Sequence, residues 1–419
     1  MFRGAACLVL GLIVAVLVLA GCAVRTPADP MRLAAAAEPA PAIAWPARRP
    51  GWSHESVAVR EEPRDVWYAA ASGAGRRWEF YFSTVTFRFT EVVQRGQGVL
   101  VRVTHERPGD SDSALGSYPA SGYLFYSSAT PMFPVGIYDP ARDPAAMVPA
   151  EPISPATVWL YEPREGPPRG LVVFLPSIGD WTYERRVIRA LLARGWAVLG
   201  SAMPMGTLLM FGEPRPPGDT PEAFGARLAR RMDDRLAEWA YGVEAVLEDL
   251  AERRPDIPQD RVVVMGCSAG AIGAPAVAAR LGGRVRAAVL VGGGADLGRI
   301  VHTSTLFSGF HYLLWARLPL KADELERLSR GYLEASALDP YHTAAALRGV
   351  PVLQLHATGD TIVPAATGDL LYERLARPER WTFNIGHELL IWRLPAYADQ
   401  IADWVERATA SIPASQHGD

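Results

Sequence analysis

The chain has 419 residues, of which 49% are hydrophobic and 21% are charged, and this is an ordinary globular composition. Its formal net charge is −3 and its pI is about 6.3. No nucleic-acid partner is predicted, because such a partner normally requires a strongly basic face. The three cysteines are Cys7, Cys22 and Cys267, which leave no disulfide framework for a secreted domain.

The N-terminus has the pattern of a secretory signal over residues 1–21. Arg3 precedes an apolar run over 5–20, which is shorter than the roughly 20 residues of a membrane-spanning helix. Residues 19–22 read Leu-Ala-Gly-Cys and resemble the lipobox of bacterial lipoproteins. The resemblance implies that Cys22 is lipidated, with acyl chains such as palmitate, and becomes the mature N-terminus. The protein would then be anchored to a membrane of the cell envelope, at the outer membrane or the periplasmic face. An ordinary cleaved signal and an uncleaved anchor stay open as alternatives.

Residues 22–50 repeat Ala and Pro without a sustained apolar period, and we predict a semi-extended tether there. The region 51–150 is predicted to be a β-rich accessory unit. In it, residues 78–82 and 85–89 each alternate between apolar and polar side chains, but the apolar positions change from even to odd between the two runs. This change predicts a β-bulge near 83–84. The glycines that follow residue 95 predict a hairpin loop.

Short apolar runs alternate with helical patterns over residues 151–412. The alternation predicts an α/β domain with a mostly parallel sheet that helices cover on both faces. A long helix should begin at Thr220, because Thr is a favourable N-cap and Pro221 suits the first turn. The predicted strands cover residues 171–175, 197–202, 261–265, 287–291, 352–356 and 381–384.

A serine is placed where one strand meets the next helix. Residues 266–270 read Gly-Cys-Ser-Ala-Gly directly after an apolar run. A GxSxG pattern at a strand end holds its serine in a sharp turn, where the hydroxyl can act as a nucleophile. Ser268 is therefore the predicted nucleophile. Cys267 beside it is predicted to point inward as a small core residue.

A serine nucleophile needs a base, and the base needs a carboxylate that orients it. Asp360 follows one predicted strand in a loop that ends at Pro364, and His387 follows the last predicted strand. Asp296 also follows a strand and stays open as a rival acid. Among the other histidines, His356 is predicted to be structural. The remainder lack a strand-end context or lie outside the domain, namely His302, His311, His342, His54, His105 and His417.

The order Ser268, Asp360, His387 resembles that of the α/β-hydrolases, and the resemblance runs from about residue 157 to about residue 409. It rests on the serine turn, on residues 356–364, which read His-Ala-Thr-Gly-Asp-Thr-Ile-Val-Pro, and on the Gly-His pair at 386–387. Ala357 departs from the glycine that relatives carry there. The resemblance implies an α/β-hydrolase fold with a catalytic triad, and it is greatest to esterases of the dienelactone-hydrolase type.

The oxyanion that develops in acyl transfer needs two backbone N–H donors. One should come from Ala269, the residue after the nucleophile. The resemblance implies that the other comes from Ser177 or Ile178 in the loop after the first strand of the domain. Insertions near 203–219 and 302–336 should either line an acyl pocket or form the core of a cap.

We therefore predict a serine hydrolase that cleaves carboxylic esters through an acyl-enzyme, acting on a small-molecule or lipid-like ester. An amide or peptide hydrolase with the same triad, and a non-catalytic surface lipoprotein that retains the fold, stay open as alternatives. The mechanism needs no cofactor and no metal. The sequence contains no HExxH, CxxC or EF-hand pattern.

Overall fold

The computed structural model describes residues 23–28, 42–46, the strands between 58 and 161, and residues 161–178, 182–201, 218–307 and 320–410. The predicted signal peptide over 1–21, Cys22, most of the predicted insertion over 203–219, and residues 308–319 of the second insertion lie outside the described residues.

The elements of the described residues follow one another in chain order. The strands are β1 (Val24–Thr26), β2 (Ala58–Glu62), β3 (Val66–Gly73), β4 (Arg76–Ser83), β5 (Phe87–Arg95), β6 (Gly98–His105), β7 (Ala120–Ser127), β8 (Gly136–Tyr138), β9 (Met147–Pro149), β10 (Ala156–Tyr161), β11 (Leu171–Leu175), β12 (Ala197–Ser201), β13 (Val262–Cys267), β14 (Val285–Val291), β15 (Val352–Ala357) and β16 (Glu379–Phe383). The helices are α1 (Arg185–Ala193), α2 (Pro221–Arg253), α3 (Ala269–Leu281), α4 (Leu297–Thr303), α5 (Ala322–Ala335), α6 (Pro340–Thr343), α7 (Ala365–Arg374), α8 (His387–Trp392) and α9 (Leu394–Ala410).

The centre of the fold is a twisted sheet whose middle strands are parallel. The strands of this sheet are arranged in the order β1-β16-β15-β14-β13-β11-β12-β10-β7-β6-β5. Every residue of β11, β13 and β15 is buried. Apolar clusters lie on both faces, one built with α2 and α3 and the other with α1 and α9. The predicted parallel α/β sheet with helices on both faces is confirmed.

Helix α2 begins where the sequence predicts. The Thr220 hydroxyl accepts a hydrogen bond from the Ala223 N–H at 3.2 Å, and Pro221 occupies the first turn. The helix packs closely against α5 from the second predicted insertion. A Cβ at Gly225 would lie 2.3 Å from the Leu328 carbonyl oxygen, so only glycine permits this approach. Within the described residues, none of the helices combines the length and the apolar character needed to cross a membrane.

The N-terminal strands differ from the separate unit predicted over 51–150. Strands β5, β6 and β7 continue the main sheet, because β7 pairs with β10. Strands β2, β3 and β4 form a sheet of their own. The domain boundary predicted at residue 150 therefore separates strands that share one sheet, and β5 to β7 are corrected to an extension of that sheet.

The change of the apolar positions from even to odd near 83–84 is not caused by the predicted bulge. Strand β4 ends at Ser83 and β5 lies in a different sheet, so the two runs face different neighbours. The register shift that the structure shows lies between Phe89 and Glu91 of β5. The predicted hairpin is confirmed, since Arg95 of β5 pairs with Gly98 of β6.

The predicted tether contacts the body of the protein at two places. Strand β1 pairs antiparallel with β16, and the Arg25 guanidinium lies 4.3 Å from the centre of the Trp381 ring. Further along, the Trp45 ring lies 5.9 Å from the Tyr241 ring. The described parts of residues 22–50 are thus docked, whereas a free linker would make neither contact.

Candidate active site

The three residues that the sequence predicts as a triad meet at the edge of the sheet where the parallel strands end. Ser268 follows β13, Asp360 follows β15, and His387 follows β16. The carboxyl ends of parallel strands point to the same edge, and loops there gather side chains from separate parts of the chain. We call this edge, formed by the carboxyl ends of β11, β13, β15 and β16, the catalytic edge.

Ser268 occupies a strained turn between β13 and α3. Its φ is 54° and its ψ is −117°, a backbone conformation that non-glycine residues rarely adopt. Two glycines allow the turn to pack: a Cβ at Gly266 would lie 2.3 Å from the Gly270 carbonyl oxygen, and one at Gly270 would lie 1.9 Å from that of Leu175. The turn thus presses α3 onto β11 and presents the serine hydroxyl at the catalytic edge.

His387 bridges the other two residues. Its Nε2 lies 2.8 Å from the Ser268 Oγ, and its Nδ1 lies 2.6 Å from the Asp360 Oδ2. An ionised carboxylate can only accept, so the proton of the neutral ring resides on Nδ1. Nε2 then carries a lone pair that can accept the serine proton. All three side chains are buried, which strengthens these contacts relative to water.

Hydrogen bonds from the backbone hold the acid and the base in position relative to each other. The Asp360 Oδ1 accepts from the N–H groups of Ile362 at 3.0 Å and Val363 at 2.8 Å, which leaves Oδ2 for the histidine. The acid loop is also bonded to the histidine loop, since the Gly359 N–H donates to the Ile385 carbonyl at 3.0 Å. The carboxylate orientation is therefore fixed before any substrate binds.

The carboxylate of Asp296, the rival acid, is hydrogen-bonded to other groups. It caps α4 by accepting from the Arg299 N–H at 3.0 Å, and its other oxygen accepts from the Ser329 hydroxyl. Its neighbour in the same buried network is Asp339, which accepts from the Asp296 N–H at 3.0 Å. The structure does not bring Asp296 to His387 through any of these bonds.

The other histidines that the structure describes with side chains have structural partners. The His302 Nδ1 lies 2.8 Å from the Gly298 carbonyl, and the His342 Nε2 lies 2.8 Å from that of Leu333. His356 is buried in β15, and burial together with the nearby Arg380 lowers its pKa to about 4. His54, His311 and His417 lie outside the described residues, and of the His105 side chain nothing is described.

Cys267 faces the core, as the sequence predicts. Its side chain is fully buried, and burial raises the pKa of its thiol well above the usual range. A thiol held in its protonated form is a poor nucleophile. Ser268 therefore remains the candidate nucleophile at this turn. Within the described part of the chain, no three His, Cys, Asp or Glu side chains cluster as a metal site would require.

The three residues predicted to supply oxyanion donors differ in their surroundings. The Ser177 N–H donates to the Glu184 Oε1 at 3.2 Å, and the Ser177 hydroxyl donates to the same oxygen. Ile178 comes next in the loop, and half of its side chain is exposed at 50%. Ala269 is the first residue of α3, and the first N–H groups of a helix have no intrahelical acceptor.

Glu184 was not found from the sequence. It is fully buried just before α1, although the two residues that follow it are arginines, which suggest a solvated helix start. The one sequence signal is its distance of seven residues from Ser177, which has meaning only once the loop is known to fold back.

Comparison with known proteins finds one family match. The family model described as the prolyl oligopeptidase family matches residues 223–386. A search among curated proteins finds no match.

Three solved structures illustrate what the chain is similar to. The esterase Est1E from Butyrivibrio proteoclasticus is 15% identical, with 62% of this chain and 96% of that chain covered and a TM-score of 0.42. An acetyl xylan esterase from Paenibacillus sp. R4 is 16% identical, with 77% and 88% covered and a TM-score of 0.45. An acylaminoacyl peptidase from Pyrococcus horikoshii is 12% identical, with 88% and 57% covered and a TM-score of 0.44.

The family match includes β13, Ser268 after it, and the chain as far as the residue before His387. The chain has the α/β-hydrolase fold, and the family match over residues 223–386 supports a serine hydrolase.

Proposed function

We propose that this hydrolase cleaves carboxylic esters with Ser268 as nucleophile, His387 as base and Asp360 as the residue that orients the base. The observation that carries the proposal is the continuous chain of two short hydrogen bonds from the serine hydroxyl through the imidazole to the carboxylate. In this arrangement the nucleophile, the base and the orienting acid each have the partner that acyl transfer requires.

The proposed reaction has two halves. The Ser268 Oγ forms a bond to the acyl carbon while its proton passes to the His387 Nε2, and the carbonyl oxygen becomes an oxyanion. The C–O bond to the alcohol then breaks, and the leaving oxygen takes the proton from Nε2. Water repeats the sequence on the acyl-enzyme, and it releases the acid and restores the serine hydroxyl. Throughout, Asp360 stays ionised and accepts from Nδ1.

We assign the oxyanion donors to the N–H groups of Ala269 and Ile178. Ser177, the other candidate, already donates its N–H to Glu184. This bond would have to break before Ser177 could serve the oxyanion, whereas fixed donors cost no reorganisation during the reaction. Losing one such donor costs roughly 10²–10³ in turnover.

An amide or peptide hydrolase is the second candidate, and the match to the prolyl oligopeptidase family favours it. The same triad would serve both reactions, and they differ in the leaving group, which is an alcohol or an amine. The discriminating measurement compares p-nitrophenyl butyrate with butyryl p-nitroanilide, which share the acyl group, and adds a prolyl peptide p-nitroanilide. Ester turnover without turnover of either anilide supports the proposal, and efficient cleavage of the prolyl peptide overturns it.

Ser268→Ala tests the catalytic assignment in the same assay. We expect it to abolish both ester turnover and labelling by a fluorophosphonate probe. Unlabelled wild-type protein would favour the third candidate, a surface lipoprotein without activity.

We also propose that Cys22 carries the lipid anchor and that the protein resides in the bacterial cell envelope, at the outer membrane or the periplasmic face. The pattern over residues 19–22 supports this proposal. Metabolic labelling with an alkyne fatty acid should tag the wild-type chain, and Cys22→Ser should remove the label. A label that persists in Cys22→Ser would overturn the assignment.

A further inference from the structure

The described large apolar side chains that are well exposed all lie around the catalytic edge. They are Val24, Trp392, Ile178 and Tyr183, with exposures of 68%, 56%, 50% and 38%. Single exposed apolar residues are normal on a protein surface, whereas a group of them around one site indicates an interaction surface. We call these four residues the apolar rim.

The rim residues surround the proposed active site. Ile178 lies in the oxyanion loop after β11, and Trp392 is the last residue of the helix that begins with His387. Tyr183 connects the side of the loop after β11 with the side of helix α8, because the centre of its ring lies 6.2 Å from that of Trp392. The exposed arginine Arg186 follows Tyr183 closely in the chain. Aromatic rings beside cationic side chains are typical of surfaces that meet a lipid headgroup layer.

The direction of β1 places the N-terminus at this same edge. Because β1 is antiparallel to β16, Val24 pairs with Thr382 and Thr26 pairs with Arg380. The chain that precedes Val24 therefore comes from the carboxyl end of β16, which leads into His387. Ala23 packs against the apolar cluster on the α1 and α9 face. Ala23 is the first described residue, and Cys22 precedes it directly in the sequence.

We infer that the catalytic edge faces a lipid bilayer and that the apolar rim docks on its surface. The apolar run over 5–20 and Cys22 lie outside the described residues and end directly before Ala23. Both an acylated Cys22 and an uncleaved anchor would hold the bilayer at this point, and no flexible linker separates it from β1. Neighbouring strands are about 4.8 Å apart, so the four steps from β1 to β13 place Ser268 roughly 20 Å from β1 across the sheet.

This inference rests on the proposed membrane anchor and extends the proposed function by its substrate class. A hydrolase whose opening meets the headgroup layer receives amphiphilic esters from the bilayer surface, where their concentration is highest. The choice between an alcohol and an amine as leaving group does not enter the argument.

The test uses the full chain reconstituted into vesicles of phosphatidylethanolamine and phosphatidylglycerol with brominated acyl chains, which quench tryptophan emission on contact. The emission of Trp392 is obtained as the difference between wild type and Trp392→Phe. The matched control is Gly283→Trp, at the opposite edge of the sheet, where a Cβ would meet nothing within 4 Å. We expect the Trp392 emission to be quenched and the emission that Gly283→Trp adds to persist.

A second readout is the hydrolysis of an ester dispersed in the vesicles, divided by that of a soluble ester. Trp392→Ser and Tyr183→Ser should each lower this ratio by about 10-fold, the loss expected from removing one large apolar side chain from an apolar contact. Adding Gly283→Trp to either variant should not restore the ratio.

Three outcomes overturn the inference. Trp392 emission that is not quenched would mean that water, or a segment such as residues 202–217, covers the rim. Equal quenching at both positions would mean that the protein has no fixed orientation. A full chain that stays in solution without vesicles would remove the anchor and the docking surface together, while turnover of the soluble ester would still uphold the proposed function.

Discussion

The carboxylate of Glu184 accepts hydrogen bonds from both the backbone N–H and the hydroxyl of Ser177. A fully buried acid thus holds the loop that supplies the proposed oxyanion donor. Its Oε2 has no hydrogen-bond partner within the described part of the chain, so the described bonds all depend on Oε1.

Glu184→Ala should release this loop and lower kcat by about 10- to 100-fold, with a smaller effect on KM, because a donor to the oxyanion acts only in the transition state. Glu184→Gln keeps an oxygen acceptor and should recover most of the activity. Steady-state kinetics on a soluble ester measure both. Equal losses in the two variants would show that the carboxylate has a role other than positioning Ser177.

Asp360→Asn should reduce kcat by roughly 10³–10⁴, the effect known for the equivalent change in serine proteases, because the amide favours the wrong histidine tautomer. Asp296→Asn should leave kcat within a few-fold and lower the unfolding free energy, since the amide nitrogen in place of Oδ2 cannot accept from the Arg299 Nε or the Ser329 hydroxyl. Kinetics and urea unfolding of the two variants separate these effects. A larger catalytic loss in Asp296→Asn would reassign the acid.

Gly270→Ala should destabilise the fold by about 3 kcal/mol or more, because the new methyl group would lie 1.9 Å from the Leu175 carbonyl oxygen. Gly283→Ala is the matched control, since nothing lies within 4 Å of its Cβ and its φ is not positive. Urea unfolding should show a change of at most about 0.5 kcal/mol for the control. A Gly270→Ala protein of wild-type stability would contradict the close packing of α3 on β11.

The unfolding free energy should fall as the pH is lowered from about 6.5 to 4, in part because of His356. Burial and the nearby Arg380 lower its pKa in the folded protein to about 4, whereas the unfolded chain has the ordinary value of 6.5. The unfolded state therefore binds the proton more readily in this window. The stabilisation that neutral His356 contributes is complete above pH 6.5 and is lost as the pH approaches 4; its size is about 3 kcal/mol.

His356→Gln removes this titration. Urea unfolding at pH 7.5 and at pH 5 should give a smaller pH-dependent difference in the variant than in the wild type. Because the comparison is between slopes, a constant loss of stability in the variant does not affect it. Parallel slopes would show that His356 does not bind a proton on unfolding in this range.

The strands that carry the site could be predicted from the sequence because they are buried on both faces. Leu171–Leu175 is the same in the prediction and the structure, and the other parallel strands differ by a few residues at their ends. A continuous apolar run bounded by turn residues leaves little freedom in placing such a strand. The serine turn was equally clear, since Gly266 and Gly270 are required by contacts with adjacent backbone.

The N-terminal region could not be predicted in the same way. Alternation identifies a strand such as β5, but pairing partners are chosen by tertiary contacts that no local pattern contains. The association of β7 with β10 and the docking of β1 on β16 are of this kind. Glu184 was missed for the same reason, because its partner Ser177 is brought to it by the folding of the loop.

Strand β1 also has a consequence for the solubility of the protein. Without its three residues, β16 would be the last strand of the sheet and would expose unpaired N–H and C=O groups. Such an open edge can recruit a strand from another molecule and begin aggregation. The three residues of β1 therefore act as a protective cover, and expression of a chain that begins after Thr26 should yield aggregates where one that begins at Ala23 does not.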